Sequence, residues 1–256
     1  MIHPSALIDG KAEIAAGVTI GPFTVVGPGV VIEEGCHIGS HVVIQGPTHI
    51  GRDNRIHQFA SLGDAPQDKG YKGDPTRLEV GDRNVIREYV TLNRGTVNGN
   101  GVTRLGNDNY MMAYSHLAHD CQVGNNTIFA NAASLAGHVT VDDWVIMGGF
   151  AIVHQFCRIG AHSFCALGSV IFKDVPPFAT VSGNPASPHG INAEGLRRRG
   201  FSQETIQHIR IAHKTLYKSK LPLAKAQEEL VEMGKICNEV ASIERFISQS
   251  RRSIVR

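Results

Sequence analysis

The chain has 256 residues, 42% of them hydrophobic, and a formal net charge of +2. This composition supports a buried core and excludes a disordered chain, and the near-neutral charge gives no reason to expect a nucleic-acid partner. Neither a signal peptide nor an apolar run of roughly 18 residues is apparent, so we expect a cytoplasmic protein without a membrane span.

An apolar residue recurs every six positions through the first two thirds of the chain. The series runs from Ile2 to Leu62, resumes in the same phase from Val80 to Leu92, and restarts one residue later from Leu105 to Ile171. Four residues beyond most of these positions stands a small or β-branched residue. Neither the helical period of 3.6 nor the strand period of 2 accounts for this series.

Two inward positions and a turn per six residues predict three short strands per coil of eighteen residues. Such coils bury their apolar faces by stacking through parallel ladders about 4.8 Å apart. The pattern resembles the hexapeptide-repeat proteins, and that resemblance implies a left-handed parallel β-helix, against the usual right-handed crossover. We therefore predict a mainly β protein, with the β-helix over residues 1–190.

The repeat is interrupted twice. The first interruption, near residues 63–79, is rich in Gly, Pro, Asp and Lys, and the second, near residues 93–104, reads NRGTVNGNGVTR. A solenoid accommodates insertions as loops that project from one corner, and loops of this kind are commonly functional.

Prolines beyond Ile171 stop the repeat, and the pattern then becomes helical. Ser202 is predicted to N-cap a helix containing Ile206, Pro222 lies near the start of a second helix, and Ile243 belongs to a third. We expect residues 191–256 to form a small C-terminal helical domain.

Histidines cluster after residue 115. With eighteen residues per coil, residue 119 stacks on 137 and residue 138 on 120, so His119, Asp120, Gly137 and His138 share one edge. An imidazole titrates near about pH 6.5 and can take a proton from a hydroxyl. Asp120 or another carboxylate would fix the imidazole tautomer, and the Gly137 amide would stabilise an oxyanion.

The same residues are compatible with three roles other than acyl transfer. In the first, Asp120 caps a turn, Gly137 supplies a positive φ and the histidines line a polar face. In the second, a zinc-dependent hydratase uses the histidines as ligands, but the spacing in HLAH is narrower than in such enzymes, so we predict no metal and no cofactor. In the third, a non-catalytic trimerisation module needs none of this chemistry.

The segments HLAHDCQVG, LAGHVTVDDW, SGNPA and INAEGLRRRGFS, in this order, closely resemble the UDP-N-acetylglucosamine acyltransferases. The resemblance implies an enzyme that moves a 3-hydroxyacyl group from acyl carrier protein to the glucosamine 3-hydroxyl of UDP-N-acetylglucosamine, the first step of lipid A biosynthesis. It also implies a homotrimer with active sites between subunits.

The resemblance assigns roles to individual residues. His119 would be the general base, oriented by Asp120, with the Gly137 amide polarising the thioester. Asp68 would reach the sugar or acyl group across a subunit boundary. The remaining substrate contacts, including guanidinium groups suited to a diphosphate, would be Lys69, His116, His138, His154, Gln155, Asn192, Glu194, Arg198 and Arg199.

Three departures from the family pattern qualify this assignment. The first loop has Lys69 followed by Gly70 where the family has lysine one position later, so Lys72 is an alternative. Asn93 replaces a histidine. The acyl-chain ruler falls on Phe164 to Leu167, and the bulky Leu167 predicts a medium-length acyl chain rather than a long one.

Overall fold

The computed structural model describes all 256 residues, as a three-sided β-helix followed by four helices. Most strands are only two residues long because each side of a coil is short. In chain order the strands are β1 (Leu7–Ile8), β2 (Glu13–Ile14), β3 (Thr19–Ile20), β4 (Val25–Val26), β5 (Val30–Ile32), β6 (His37–Ile38), β7 (Val43–Ile44), β8 (Thr48–Ile50), β9 (Arg55–Ile56), β10 (Ser61–Asp64), β11 (Arg77–Val80), β12 (Val85–Ile86), β13 (Thr91–Asn93), β14 (Val102–Leu105), β15 (Tyr110–Met111), β16 (His116–Leu117), β17 (Gln122–Val123), β18 (Ile128–Phe129), β19 (Ser134–Leu135), β20 (Thr140–Val141), β21 (Ile146–Met147), β22 (Ile152–Val153), β23 (Arg158–Ile159), β24 (Phe164–Cys165), β25 (Val170–Ile171), β26 (Ala179–Ser182) and β27 (Ser187–Ile191).

Successive strands rotate through three sheets, which are parallel except for β27 at the end of sheet 3. Sheet 1 has the order β1-β4-β7-β10-β13-β16-β19-β22-β25, and sheet 2 has the order β2-β5-β8-β11-β14-β17-β20-β23. Sheet 3 runs β27-β26-β24-β21-β18-β15-β12-β9-β6-β3. Paired residues in neighbouring strands are one coil apart, since Leu117 pairs with Leu135. The predicted β-helix is therefore confirmed.

The six-residue apolar series forms the core of the prism. All its members from Ile20 to Ile171 are buried, whereas Ile2 is 45% exposed because the first coil has only one neighbour. Burial of each such side chain contributes about 1.5–3 kcal/mol, so the stacked series is the main source of stability.

Each corner of the prism turns through a residue with a positive φ. The histidine corner, between sheets 1 and 2, contains Asp120, His138 and Phe156. The tryptophan corner, between sheets 2 and 3, contains Asn126, Trp144 and His162. The aromatic corner, between sheets 3 and 1, contains Phe23, His41, Phe59, Tyr89, Tyr114 and Phe150.

Both insertions leave the prism at the histidine corner. The first connects β10 to β11 and the second connects β13 to β14, so the loops proper cover residues 65–76 and 94–101. The predicted bounds were too wide because the ends of each insertion continue the strands, as where Arg77 pairs with Val102.

The C-terminal helices are α1 (Ala193–Arg198), α2 (Gln203–Lys218), α3 (Leu223–Gly234) and α4 (Asn238–Ser248). Ser202 is the N-cap of α2, as predicted, because its Oγ accepts a hydrogen bond of 3.0 Å from the Thr205 amide. The antiparallel strand β27 was not predicted. None of the helices combines the length and the apolar character required to cross a membrane.

Candidate active site

Stacking of adjacent coils brings a histidine and a carboxylate together at the histidine corner. His119 Nδ1 lies 2.9 Å from Asp120 Oδ2, and the side chains are 18% and 0% exposed, respectively. Because an ionised carboxylate can only accept, Nδ1 carries the proton and donates it. Nε2 of the neutral ring is then left with a free lone pair and can act as a base.

The second insertion supplies most of the hydrogen bonds to Asp120. The Thr96 amide donates to both carboxylate oxygens at 3.1 Å, the Thr96 hydroxyl donates to Oδ2 at 2.7 Å, and the Asn100 amide donates to Oδ1 at 3.0 Å. Burial alone would raise the pKa of Asp120, but the hydrogen bonds from Thr96 and His119 outweigh it and lower that pKa. Asp120 is therefore ionised at neutral pH.

Gly137 lies directly against the His119 ring. A Cβ at this position would come within 2.6 Å of His119 Cε1 and 2.8 Å of Nε2, so no side chain fits. The positive φ angles belong to Asp120 and His138 instead, so the idea that Gly137 supplies the positive φ of the turn is wrong. The Gly137 amide donates no hydrogen bond within the chain and is free to serve an incoming oxygen.

Two further histidines, His138 and His116, lie near the His119–Asp120 pair. His138 stacks on Phe156 at 4.4 Å, meets the His119 ring edge-on at 5.0 Å, and places Nδ1 3.8 Å from Asp120 Oδ2. His116 Nδ1 is 2.7 Å from the Thr91 hydroxyl. Burial lowers the pKa of His138 and of His116, so both rings are neutral near pH 7 and suited to hydrogen bonding with a polar substrate.

The first insertion carries Asp68, whose charge acts on His138. The Asp68 carboxylate accepts a hydrogen bond of 2.9 Å from the Gly70 amide. Its negative charge acts to raise the pKa of His138, but the larger effect of burial lowers that pKa overall. Lys69 and Lys72 are both exposed and form no ion pair.

Asn93 stands where the motif resemblance implies a histidine. Its side chain forms no hydrogen bond with the histidines of this corner. Its side-chain amide donates to the Ala65 carbonyl at 3.0 Å, and its buried Oδ1 has no partner. Asn93 therefore joins the bases of the two insertions.

His154 and Gln155 lie one coil beyond Gly137. His154 Nδ1 is 3.2 Å from the Gln155 carbonyl, which also accepts a hydrogen bond of 3.0 Å from Arg252 near the C-terminus. The Gln155 side chain is exposed.

The residues expected to bind the nucleotide gather at the tryptophan corner. Asn192 N-caps α1 and donates from Nδ2 to the His162 carbonyl at 3.0 Å. Glu194 pairs with Arg198 at 2.9 Å. Arg199 lies over the Trp144 ring at 5.1 Å and 3.2 Å from His162 Nδ1. Burial and then the charge of Arg199 lower the pKa of His162 to about 4.

A single chain does not unite all of the expected residues. The nucleotide group occupies a different corner from His119, Phe164 lies on sheet 3, and Leu167, 73% exposed, lies at the sheet 3 to sheet 1 turn. The expected substrate contacts thus fall on different corners of one prism.

Metal coordination is sterically conceivable at the histidine corner. The ligand atoms of His119, Asp120 and His138 lie within 4.8 Å of one another. However, both oxygens of Asp120 already accept hydrogen bonds from Thr96, Asn100 or His119, and an ion would have to displace those donors. The donor set favours proton transfer over metal binding.

Comparison with known proteins identifies the family. A protein of Halorhodospira halophila, named as an acyl-(acyl-carrier-protein)–UDP-N-acetylglucosamine O-acyltransferase, is 57% identical over 255 residues, covering 100% of this chain and 99% of its own length. The chain belongs to the UDP-N-acetylglucosamine O-acyltransferase family. The protein of the same name from Alkalilimnicola ehrlichii is 58% identical, with the same coverage of both chains.

Family models and a solved structure agree with this membership. Residues 174–255 match domain 2 of UDP-N-acetylglucosamine O-acyltransferase, and residues 29–64 match the bacterial transferase hexapeptide model of six repeats. The structure of the Francisella novicida UDP-N-acetylglucosamine acyltransferase superposes with a TM-score of 0.98 at 44% identity, covering 100% of this chain and 94% of that one. The resemblance drawn from the motifs is confirmed.

The residues in and just after the second insertion that contact Asp120 were not predicted from the sequence. Thr96 and Asn100 lie within that insertion, and Thr103, whose hydroxyl accepts from the Asp120 amide at 2.8 Å, follows it on β14. The available signal was topological, since counting coils shows that the insertion leaves from the corner that carries His119.

Proposed function

We propose that this chain transfers a 3-hydroxyacyl group from acyl carrier protein to the glucosamine 3-hydroxyl of UDP-N-acetylglucosamine, in lipid A biosynthesis, with His119 as general base. The observation that carries the proposal is the His119–Asp120 pair, 2.9 Å apart, whose free Nε2 lies against Gly137. Family membership supplies the two substrates.

The reaction follows from the proton positions. Nε2 of His119 takes the proton of the 3-hydroxyl as that oxygen attacks the thioester carbonyl carbon. Negative charge then develops on the carbonyl oxygen, where the free Gly137 amide can donate to it. Asp120 stabilises the imidazolium. Collapse of the tetrahedral intermediate breaks the C–S bond, and the imidazolium returns the proton to the leaving thiolate.

The neighbouring polar groups are suited to hold the substrates. We assign sugar, phosphate or acyl contacts to His116, His138, His154, Gln155 and to Asp68 with Lys69 of the first insertion. The neutral state of His116 and His138, due to their burial, lets each ring both donate and accept with hydroxyl groups.

We also propose a homotrimer. The aromatic corner carries a continuous stack from Phe23 to Tyr114 with centroid spacings of 4.8–5.3 Å, yet its rings stay exposed, Tyr89 by 44% and Tyr114 by 60%. Phe150, farther along the same corner, is 64% exposed. An exposed apolar row of this length is typical of a subunit interface. Leu7 and Ile152 on adjoining sheet 1 are likewise 67% and 49% exposed.

Three prisms joined at the aromatic corner leave a cleft between sheet 1 of one subunit and sheet 3 of the next. The histidine corner of the first and the tryptophan corner of the second form the outer rims of that cleft. This arrangement would unite His119 with the nucleotide group of Asn192, Glu194, Arg198 and Arg199. It would also expose Phe164 and Leu167 to the acyl chain as the ruler.

The reducing cytoplasm is the compartment that we propose for this reaction. All five cysteines are buried and free, and a reducing environment keeps such thiols unpaired.

Substitution of His119 by alanine tests the proposed chemistry. Removal of a general base should lower kcat by about 10²- to 10⁴-fold with little change in unfolding temperature. His3→Ala, in the first coil and remote from His119, is the matched control and should retain activity. Full activity of His119→Ala, or acylation of a UDP-N-acetylglucosamine analogue lacking the 3-hydroxyl, contradicts the proposal.

A further inference from the structure

We propose that Thr96 is a positioning residue of the catalytic pair, whose hydroxyl directs the Asp120 carboxylate to His119 rather than to His138. This inference rests on the proposed function and adds a role for the second insertion. Thr96 is 3% exposed and Asp120 is 1% exposed, so no water competes for the contact between them.

One oxygen of Asp120 is shared by three groups. Oδ2 accepts from the Thr96 hydroxyl at 2.7 Å and from His119 Nδ1 at 2.9 Å, and His138 Nδ1 lies 3.8 Å away. A carboxylate rotates about its Cβ–Cγ bond, so the position of Oδ2 is set by whichever donors hold it. The Thr96 hydroxyl is the shortest of these contacts and fixes Oδ2 in line with His119.

The backbone donors of the insertion do not bind Oδ2 selectively. The Thr96 amide lies 3.1 Å from both oxygens, so it favours neither, and the Asn100 amide binds only Oδ1 at 3.0 Å. Both amides would remain in any side-chain variant. Within the insertion, the Thr96 hydroxyl is thus the donor that binds Oδ2, the oxygen facing both histidines, without binding Oδ1.

The insertion is itself held firmly enough to orient a side chain. Gly99 packs so closely that a Cβ there would lie 2.3 Å from the Asp120 Cγ. At the start of the loop, Arg94 donates from Nε to the Tyr71 hydroxyl at 2.9 Å and also binds the Gly46 carbonyl. These contacts place Thr96 at a fixed distance from the corner.

Kinetics of Thr96→Val and Thr96→Ser test the inference. Valine keeps the shape and removes the donor, so kcat should fall by about 10- to 100-fold, because small misplacements of a catalytic group are costly. The KM for UDP-N-acetylglucosamine should change by less than about twofold, because Thr96 lies outside the substrate contacts. Serine restores the hydroxyl and should restore most of kcat.

The pH–rate profile separates positioning from a purely electrostatic role. If Oδ2 turns away in Thr96→Val, the His119 imidazolium loses its carboxylate partner. The acidic limb of the pH–rate profile, where kcat rises with pH, should then move to lower pH. A limb displaced to higher pH would mean that the carboxylate stayed in place and merely became more basic, which overturns positioning. An unchanged limb with unchanged kcat overturns it as well.

Controls keep this test independent of folding and of the proposed function. Asn98→Ala changes an exposed side chain of the same insertion that forms no hydrogen bond, and it should behave like the parent. Thr96→Ala, which avoids overpacking, repeats the measurement should valine fail to fold. If the unsubstituted chain transfers no acyl group, the proposed function fails; if it does and Thr96→Ala is equally active, only the positioning role fails.

Discussion

Asp120 illustrates how much a single residue of this site depends on its partners. A buried charge costs several kcal/mol unless hydrogen bonds compensate for it. Here the carboxylate accepts from Thr96, Asn100 and His119, and the backbone takes a φ of 61°, a conformation that aspartate tolerates better than most residues. The residue type, its ionisation and its turn conformation therefore support one another.

Asp120 should make stability depend on pH. The pKa of Asp120 is lower in the folded chain than in the unfolded chain. Its contribution to the free energy of unfolding is therefore complete above the unfolded pKa of about 3.9 and is lost as the pH falls through the folded pKa. Free energies of unfolding from pH 7 down to pH 3 should therefore fall more steeply for the parent chain than for Asp120→Asn. Parallel curves would contradict this expectation.

Gly137→Ala should damage activity more than stability. The added methyl group would push into the His119 ring, 2.6 Å from Cε1, while the backbone φ suits any residue. We expect kcat to fall by about 10²-fold or more through misplacement of the base, with a modest shift in unfolding temperature. Gly10→Ala, where nothing lies within 4 Å, is the control. Equal kcat values for the two variants would refute the assignment.

At the scale of elements, the two insertions form one unit over the histidine corner. Arg94 of the second insertion contacts Tyr71 of the first, and its amide donates to the Asp64 carbonyl at 3.1 Å. Asn93 binds the Ala65 carbonyl from the other side. The first insertion, which carries Asp68, is thus held by the second, which carries Thr96.

Arg94→Met should release the first insertion. Methionine keeps an apolar stem but loses hydrogen bonds from a charged donor, each of which contributes about 1.5–3 kcal/mol. Trypsin should then cleave after the exposed Lys69 and Lys72 about tenfold faster or more, measured by mass spectrometry under native conditions. Arg52→Met, at a remote turn, is the control. Unchanged cleavage rates would show that Arg94 does not hold the loop.

At the scale of the whole molecule, the prism separates three tasks among its three corners. The histidine corner holds the residues of the proposed chemistry, the tryptophan corner holds the expected nucleotide contacts, and the aromatic corner holds exposed rings. The proposed function therefore depends on the proposed trimer, which would bring these corners together.

Phe150→Asp should prevent that assembly without unfolding the chain. Phe150 is 64% exposed at a φ of 57°, which aspartate adopts readily, so the single chain loses little. Sedimentation velocity should show a shift from trimer to monomer, accompanied by loss of acyl transfer. Ile236→Asp, at a site 78% exposed on the cap, should leave the mass unchanged. A monomeric parent chain would contradict the proposed trimer.

Leu167→Gly should change donor selection. In the proposed cleft, Leu167 shortens the groove for the acyl tail, so the parent should prefer a medium-length 3-hydroxyacyl donor and the glycine variant a longer one. Competition between carrier-bound donors of different length, measured by mass spectrometry of the products, checks this. Preference of the parent for the longest donor would refute the ruler.

The sequence by itself predicted the β-helix, the stacking of His119 on Gly137 and the N-cap at Ser202. These features were accessible because each depends on a local repeat of six residues or on one capping residue. The same spacing also indicated that His138 follows Asp120 by one coil.

Only the tertiary structure revealed which groups hold Asp120 and why Gly137 must be glycine. The path of an insertion is not fixed by any period, so the approach of Thr96 to Asp120, 24 residues apart, depends on long-range contacts such as that of Arg94 with Tyr71. The close approach of Gly137 to the His119 ring depends likewise on a side-chain orientation that a repeat does not specify. Periodicity determines where backbones stack, whereas packing between distant segments determines where side chains point.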